Sequence, residues 1–156
     1  MIRAIVSAFL GMYALNAVAG DDLGAAQKIA SSGMKAQSQR LKVIAQNIAN
    51  AGTTADSADK LPYQRKIVVI NNEMDDNVGA ELVKVKTIEK DKSPFEMKYE
   101  PYHPAADENG LVKYPNVKLV VENVDSREAQ RTFEANLSSY EISRSNQLKI
   151  IDSLSK

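Results

Sequence analysis

Gln37-Ser38-Gln39-Arg40-Leu41-Lys42-Val43-Ile44-Ala45-Gln46-Asn47-Ile48-Ala49-Asn50-Ala51-Gly52-Thr53 is the stretch on which the reading of this chain turns. Leu23, Ala30, Gln37 and Ile44 stand seven residues apart, and so do Gln27, Met34, Leu41 and Ile48. That spacing predicts a helix with a narrow, partner-facing seam. Asn50-Ala51-Gly52 ends it in a residue suited to a left-handed cap. Gln27 and Gln37 dilute the seam, and alanines flank it. Such a helix is marginal alone, because most helical stability in proteins comes from packing an apolar face.

The far end of the chain offers the partner. Phe133, Leu137, Tyr140, Leu148 and Ile151 lie close to one helical stripe, spaced by 4, 3, 8 and 3 residues. No Gly or Pro occurs between Val117 and Lys156, so this helix can run on the order of 35 residues. The first helix is expected from Asp22 to about Asn50, with Ser31-Ser32-Gly33 weakening its middle toward a kink or a frayed first half.

Between the helices the pattern changes. Residues 52–59 are small and polar and read as a flexible connection. Ile67-Val68-Val69-Ile70, residues 82–88 and residues 95–99 read as short strands, while Pro101, Pro104, Asn109-Gly110 and Pro115 mark turns. The expected fold is α+β: long N- and C-terminal helices form an antiparallel coiled-coil-like pair, with a small β-rich insert between them. The expected divisions are a helix over 22–52, the connection and insert over 53–115, and a helix over 116–156. Ile29, Val43 and Ile150 flank the seams, and neighbouring subunits are expected to cover them.

Residues 1–20 stand apart. Arg3 precedes an apolar run from Ala4 through Leu15, and Ala17-Val18-Ala19 supplies small residues of the kind a signal peptidase reads. The segment reads as signal-peptide-like, with Gly20 or Asp21 opening the mature chain, or else as a hydrophobic start to the first helix. The apolar run is shorter than the roughly 20 residues that a bilayer core requires.

Composition narrows the function. Hydrophobic residues make up 44% of the 156, but aromatics only 6% and Trp none, so alanine carries much of the apolar count and suits close helix packing. Twenty basic residues balance twenty acidic ones, which gives no basic excess to attract nucleic acid. There is no cysteine, so disulfides, thiolate metal sites and cysteine nucleophiles are excluded.

Constellations that carry chemistry are scarce. His103 is the single histidine; in Tyr102-His103-Pro104 it reads as a turn residue bonded locally, in preference to a general base or metal ligand. Asp75-Asp76-Asn77 with Gly79 lacks the alternating oxygen ligands of a calcium loop and reads as a turn, as does Asp107-Glu108-Asn109-Gly110. The seven glycines are scattered, with no phosphate-binding loop and no nucleophile elbow. Lys84, Lys86, Lys90 and Lys92 alternate with Glu81, Glu89 and Asp91, as on a solvated strand edge. No catalytic, cofactor-binding or metal-binding residue is expected.

Ser38-x-Arg40-Leu41-x-Val43-Ile44-Ala45-x-Asn47-Ile48-Ala49-Asn50-Ala51 resembles the N-terminal signature of the bacterial flagellar rod, hook and hook-associated proteins. The middle of the chain resembles the proximal-rod members of that family. The similarity lies in residues 62–69, Ser93-Pro94-Phe95, residues 99–105 and residues 107–117. The resemblance places Pro62, Tyr63, Pro94, Phe95, His103, Pro104, Tyr114, Pro115 and Asn116 in turn motifs shared with those proteins. It implies a structural subunit of the proximal rod that polymerises through its terminal helices around the export channel. The expected partners are other rod subunits, copies of the chain itself and basal-body components, with no nucleic acid or small-molecule substrate. The expected location is the flagellar basal body, spanning the periplasm. Such subunits are expected to leave through the flagellum's own channel, whereas residues 1–20 look like a different export signal. Leu41, Ile44, Ile48, Phe133, Leu137, Tyr140, Leu148 and Ile151 are the expected helix-pairing and assembly residues. Read from its residues alone, the chain also fits a secreted periplasmic binding or scaffold module that acts as a monomer.

Overall fold

Two long helices carry the fold. In the computed structural model, which describes the backbone of residues 2–155 and side chains from Asp22 onward, α1 spans Ile2–Ala49 and α2 spans Leu119–Leu154. The signal-like character expected of residues 1–20 rests on side chains outside those described. Among the described residues, no helix is long and apolar enough to cross a membrane.

The helices are antiparallel, and four contacts give the register. Gln27 Nε2 donates to Gln147 Oε1 at 2.8 Å, Gly33 lies against Asn136, Arg40 faces Asp125 at 3.6 Å, and Asn47 Nδ2 donates to Glu122 Oε2 at 3.0 Å. The buried residues of α1 are Ala30, Gly33, Ala36, Val43, Ile44 and Asn47; Gln37 and Arg40, between them on the side that meets α2, are half-buried. One expected line (Ala30, Gln37, Ile44) is therefore in the seam. Its companion is Gly33, Arg40 and Asn47, of which Gly33 and Asn47 are buried and Arg40 is half-buried; Met34, Leu41 and Ile48 lie half-buried beside it. Small residues let the backbones approach, which larger ones at the same positions would prevent. A Cβ on Gly33 would sit 2.8–2.9 Å from the side chain of Asn136.

α1 is continuous through Ser31-Ser32-Gly33. Gly33 is occupied by the approach of α2. Ser32 Oγ donates to Ile29 O at 2.7 Å and accepts from Val83 N at 3.1 Å, so it ties the helix to the insert. The end of α1 differs from expectation. Gly52 has no positive φ; the last carbonyls are met by tight-turn bonds such as Ala51 N to Ile48 O, 3.2 Å, and by Asn50 Nδ2 to Gln46 O, 2.8 Å.

The insert is two antiparallel ribbons. Strands β1 (Lys66–Asp75) and β2 (Ala80–Lys90) form a hairpin whose register shifts between Val69 and Ile70; Val69 faces Thr87 and Ile70 faces Val85, which leaves Lys86 as the bulged residue. Its turn is closed by Gly79 N to Asp75 O at 2.8 Å, with Gly79 at φ +67°. The hairpin lies along α1. Val43, expected to await a neighbouring subunit, is instead buried within the chain, sharing a small cleft with Ile67, Val68 and Ile70. Strands β3 (Glu96–Tyr99) and β4 (Leu111–Tyr114) make the second ribbon. β4 falls where only turns were expected, and its Val112 is fully buried. Among the described residues, the buried aliphatic side chains are Ile44, three valines (Val43, Val112, Val117) and four alanines. The core is thin.

Candidate assembly site

Polar groups meet where α1, the start of β1 and the first turn of α2 converge. Glu122 is completely buried and Asn47 is 1% exposed. Asn47 uses all four of its side-chain hydrogen-bonding positions. Nδ2 donates to Lys66 O (2.9 Å) and Glu122 Oε2 (3.0 Å), and Oδ1 accepts from Lys66 N and Tyr63 OH, both at 2.9 Å. Arg65 Nε donates to Glu122 Oε1, and its two terminal nitrogens reach Asp91 (3.2 Å) and Asp125 (3.3 Å). Asp125 is shared with Arg40. Asn116 completes the junction: its Oδ1 accepts from Arg65 N at 2.8 Å, and its Nδ2 donates to Asp91 O at 3.0 Å.

The electrostatics follow from this crowding. Burial alone would lower the pKa of Arg65, but the hydrogen bond and charge of Glu122, then of Asp91, outweigh it and hold the guanidinium more firmly protonated than usual. The Asp91 carboxyl is held below its ordinary range, first by the Ser93 N–H and then by the Ser93 hydroxyl and Arg65, against an opposing effect of burial. Burial, and then the negative charge of Glu122, push the Tyr63 phenol up. Each of these groups is thus held in the protonation state that the junction uses.

A second feature lies on the outside. α2 buries Glu122 and Ala129 and turns larger apolar residues outward: Val120 is 78% exposed, Val124 62%, Leu148 58% and Ile151 56%. The expected assembly residues divide between the two sides. Ile44 is buried, and Leu41, Ile48, Phe133 and Tyr140 are half-buried, with Phe133 and Tyr140 on the side of α2 that meets α1. Leu137, Leu148 and Ile151 each follow a seam position by one residue and are open to solvent.

The turn residues serve the insert. Pro62 and Pro115 are buried, Pro94 and Pro104 are exposed, and Phe95 lines a groove of about 480 Å³ with Pro94, Asn116 and Val121. Tyr114 OH donates to Glu100 at 2.9 Å, which raises its pKa. Both ring nitrogens of His103 are engaged locally: Nδ1 accepts from Ala105 N at 3.0 Å, and Nε2 lies 3.3 Å from Thr54 Oγ1. Among the described residues, no cluster of His, Cys, Asp and Glu could hold a metal ion. Sequence reasoning did not assign roles to Asn47, Arg65 and Glu122. A clue to Glu122 was present, an acid set within Leu119-Val120-Val121 and Val124.

A pair of terminal helices with polar groups inward, apolar groups outward and a tied-down β insert is the build of an assembly subunit. Comparison with known proteins makes the class specific. Residues 28–55 match the family described as Flagella basal body rod protein. The flagellar basal-body rod protein FlgC of Agrobacterium fabrum is 49% identical over 117 residues, covering 75% of this chain and 84% of that protein. The FlgC of Borreliella burgdorferi is 40% identical over 126 residues (69% and 82%), and that of Salmonella typhimurium 38% over 123 residues (79% and 91%). The chain belongs to the family of the flagellar basal-body rod protein FlgC.

Proposed function

We propose that this chain is a structural subunit of the proximal rod of the flagellar basal body. It polymerises through its terminal helices into the shaft that transmits torque and surrounds the export channel. Its partners are other rod subunits, copies of itself and neighbouring basal-body components, and the rod it builds spans the periplasm. The family supports the rod, and one observation supports polymerisation: Val120, Val124, Leu148 and Ile151 of α2 point away from its own partner helix. Burying such residues against a neighbour gains on the order of 1.5–3 kcal/mol each, a gain unavailable to the lone chain. In this reading Ile44, Phe133 and Tyr140 pair the helices within a subunit, with Leu41 and Ile48 alongside. Leu137, Leu148 and Ile151 meet the next subunit, and residues 22–52 and 116–156 form the rod core.

The test is the double substitution Leu148→Asp/Ile151→Asp. Both positions are more than half exposed, so monomer stability should change by no more than about 0.5 kcal/mol per site. The variant should be folded by circular dichroism yet missing from purified basal bodies, and cells relying on it should not swim. Normal incorporation and motility would refute the outward-face reading.

A further inference from the structure

Seams with a seven-residue repeat carry an ambiguity, because sliding one helix by seven residues brings equivalent faces together again. The middle of this seam does little to remove it. Sliding α2 in one direction sets Gly33 opposite Ala129 instead of Asn136, and in the other direction opposite Ser143; both side chains are small. Gln27 now meets Gln147 and would meet Tyr140 or Leu154 after the same slides. Nor does the observed register satisfy every seam residue. Gln37 Oε1 is buried without a hydrogen-bond partner among the described residues.

The junction end behaves differently. Glu122 receives Asn47 from α1 and Arg65 from the entry to β1, with nothing left to solvent. One slide carries Glu122 to the level of Arg40 and leaves Asn47 facing Pro115, which has no N–H to give. The other carries Glu122 past Asn47 toward Thr54. Either way Asn47 and Glu122 part. Although Arg40 could meet Glu122 in the first slide, Asn47 Nδ2 loses its carboxylate acceptor in both, and a buried donor left unpaired is strongly disfavoured.

We infer that Asn47, Arg65 and Glu122 are the residues that set the register of the helix pair, and with it the outward face that α2 presents to a neighbour. A buried polar group in a helix seam selects register at some cost in stability. The inference does not depend on the rod reading, since it concerns one chain.

The absence of native cysteine makes the test direct. In the full chain, Gln27→Cys is combined with Gln147→Cys to report the observed register, or with Tyr140→Cys or Leu154→Cys to report the slid ones. Cross-linking rates are compared between the native junction and the apolar replacement N47L/R65M/E122L. With the native junction, the observed pair should cross-link at least about tenfold faster than either slid pair. The apolar junction should keep its helix content by circular dichroism, while the preference falls to within about threefold. A tenfold preference that survives the replacement overturns the inference. Loss of helix content also overturns it, since the junction would then supply stability in place of register choice.

Discussion

Arg65→Met is the sharpest probe of the energetics at the junction. The substitution keeps a long unbranched side chain but removes the cation from Glu122, a carboxylate with no solvent exposure. Asn47 Nδ2 would remain as the side-chain donor to Glu122. Breaking a buried pair from one side costs roughly 3–5 kcal/mol, because the remaining charge is stranded. The contacts to Asp91 and Asp125 are partly exposed and add only about 0–1 kcal/mol each. Against a typical total stability of about 5–15 kcal/mol, the loss is a large fraction. With a urea m-value of about 2 kcal/mol/M, the midpoint should fall by about 2 M. Glu122→Met placed on top of Arg65→Met removes the stranded charge and should recover about 2 kcal/mol or more. Urea titrations of the full chain followed by circular dichroism measure all four corners of the cycle. A midpoint shift below about 0.5 M for Arg65→Met, or a double variant weaker than the single, would refute the reasoning.

Two further outcomes are expected. The lowered pKa of Asp91 means that its contribution is fully present above the ordinary aspartate value of about 4 and is lost as pH falls through its folded value. Acid should therefore weaken the wild type more steeply than Asp91→Asn in urea titrations below about pH 4, and parallel slopes would contradict the assignment. Gly79 and Gly110 both have positive φ, but a Cβ on Gly79 meets nothing within 4 Å, whereas one on Gly110 lies 2.9 Å from the Tyr99 ring and 3.3 Å from the backbone of Pro101. Gly79→Ala should cost about 1 kcal/mol of strain alone, and Gly110→Ala clearly more; thermal melts showing equal losses would argue against this account of the second ribbon.

Local signals were enough for the elements that depend on local physics. The absence of Gly and Pro after Val117 marked a helix of about the right length, and α2 occupies Leu119–Leu154. The β-branched runs marked β1 and β2, and Gly79 and Gly110 marked turns that need a left-handed residue. The terminal helices around a β-rich insert were legible for the same reason. β4 was not, because four residues ending at a proline carry little strand signal until β3 is beside them.

What only the tertiary structure decided was which side of each helix faces in. The heptads showed that α1 had a seam, but its sequence could not reveal that Gly33 and Asn47 would be buried in preference to Leu41 and Ile48. Hydrophobicity ranks those residues the other way, and their burial pays only when Asn136, Glu122 and Arg65 arrive from distant parts of the chain. Leu148 and Ile151 show the converse. Their apolar character was plain in the sequence, but their outward direction follows from how α2 meets α1. Periodicity fixes a face relative to its own helix axis, while the choice of which face is buried belongs to the partner.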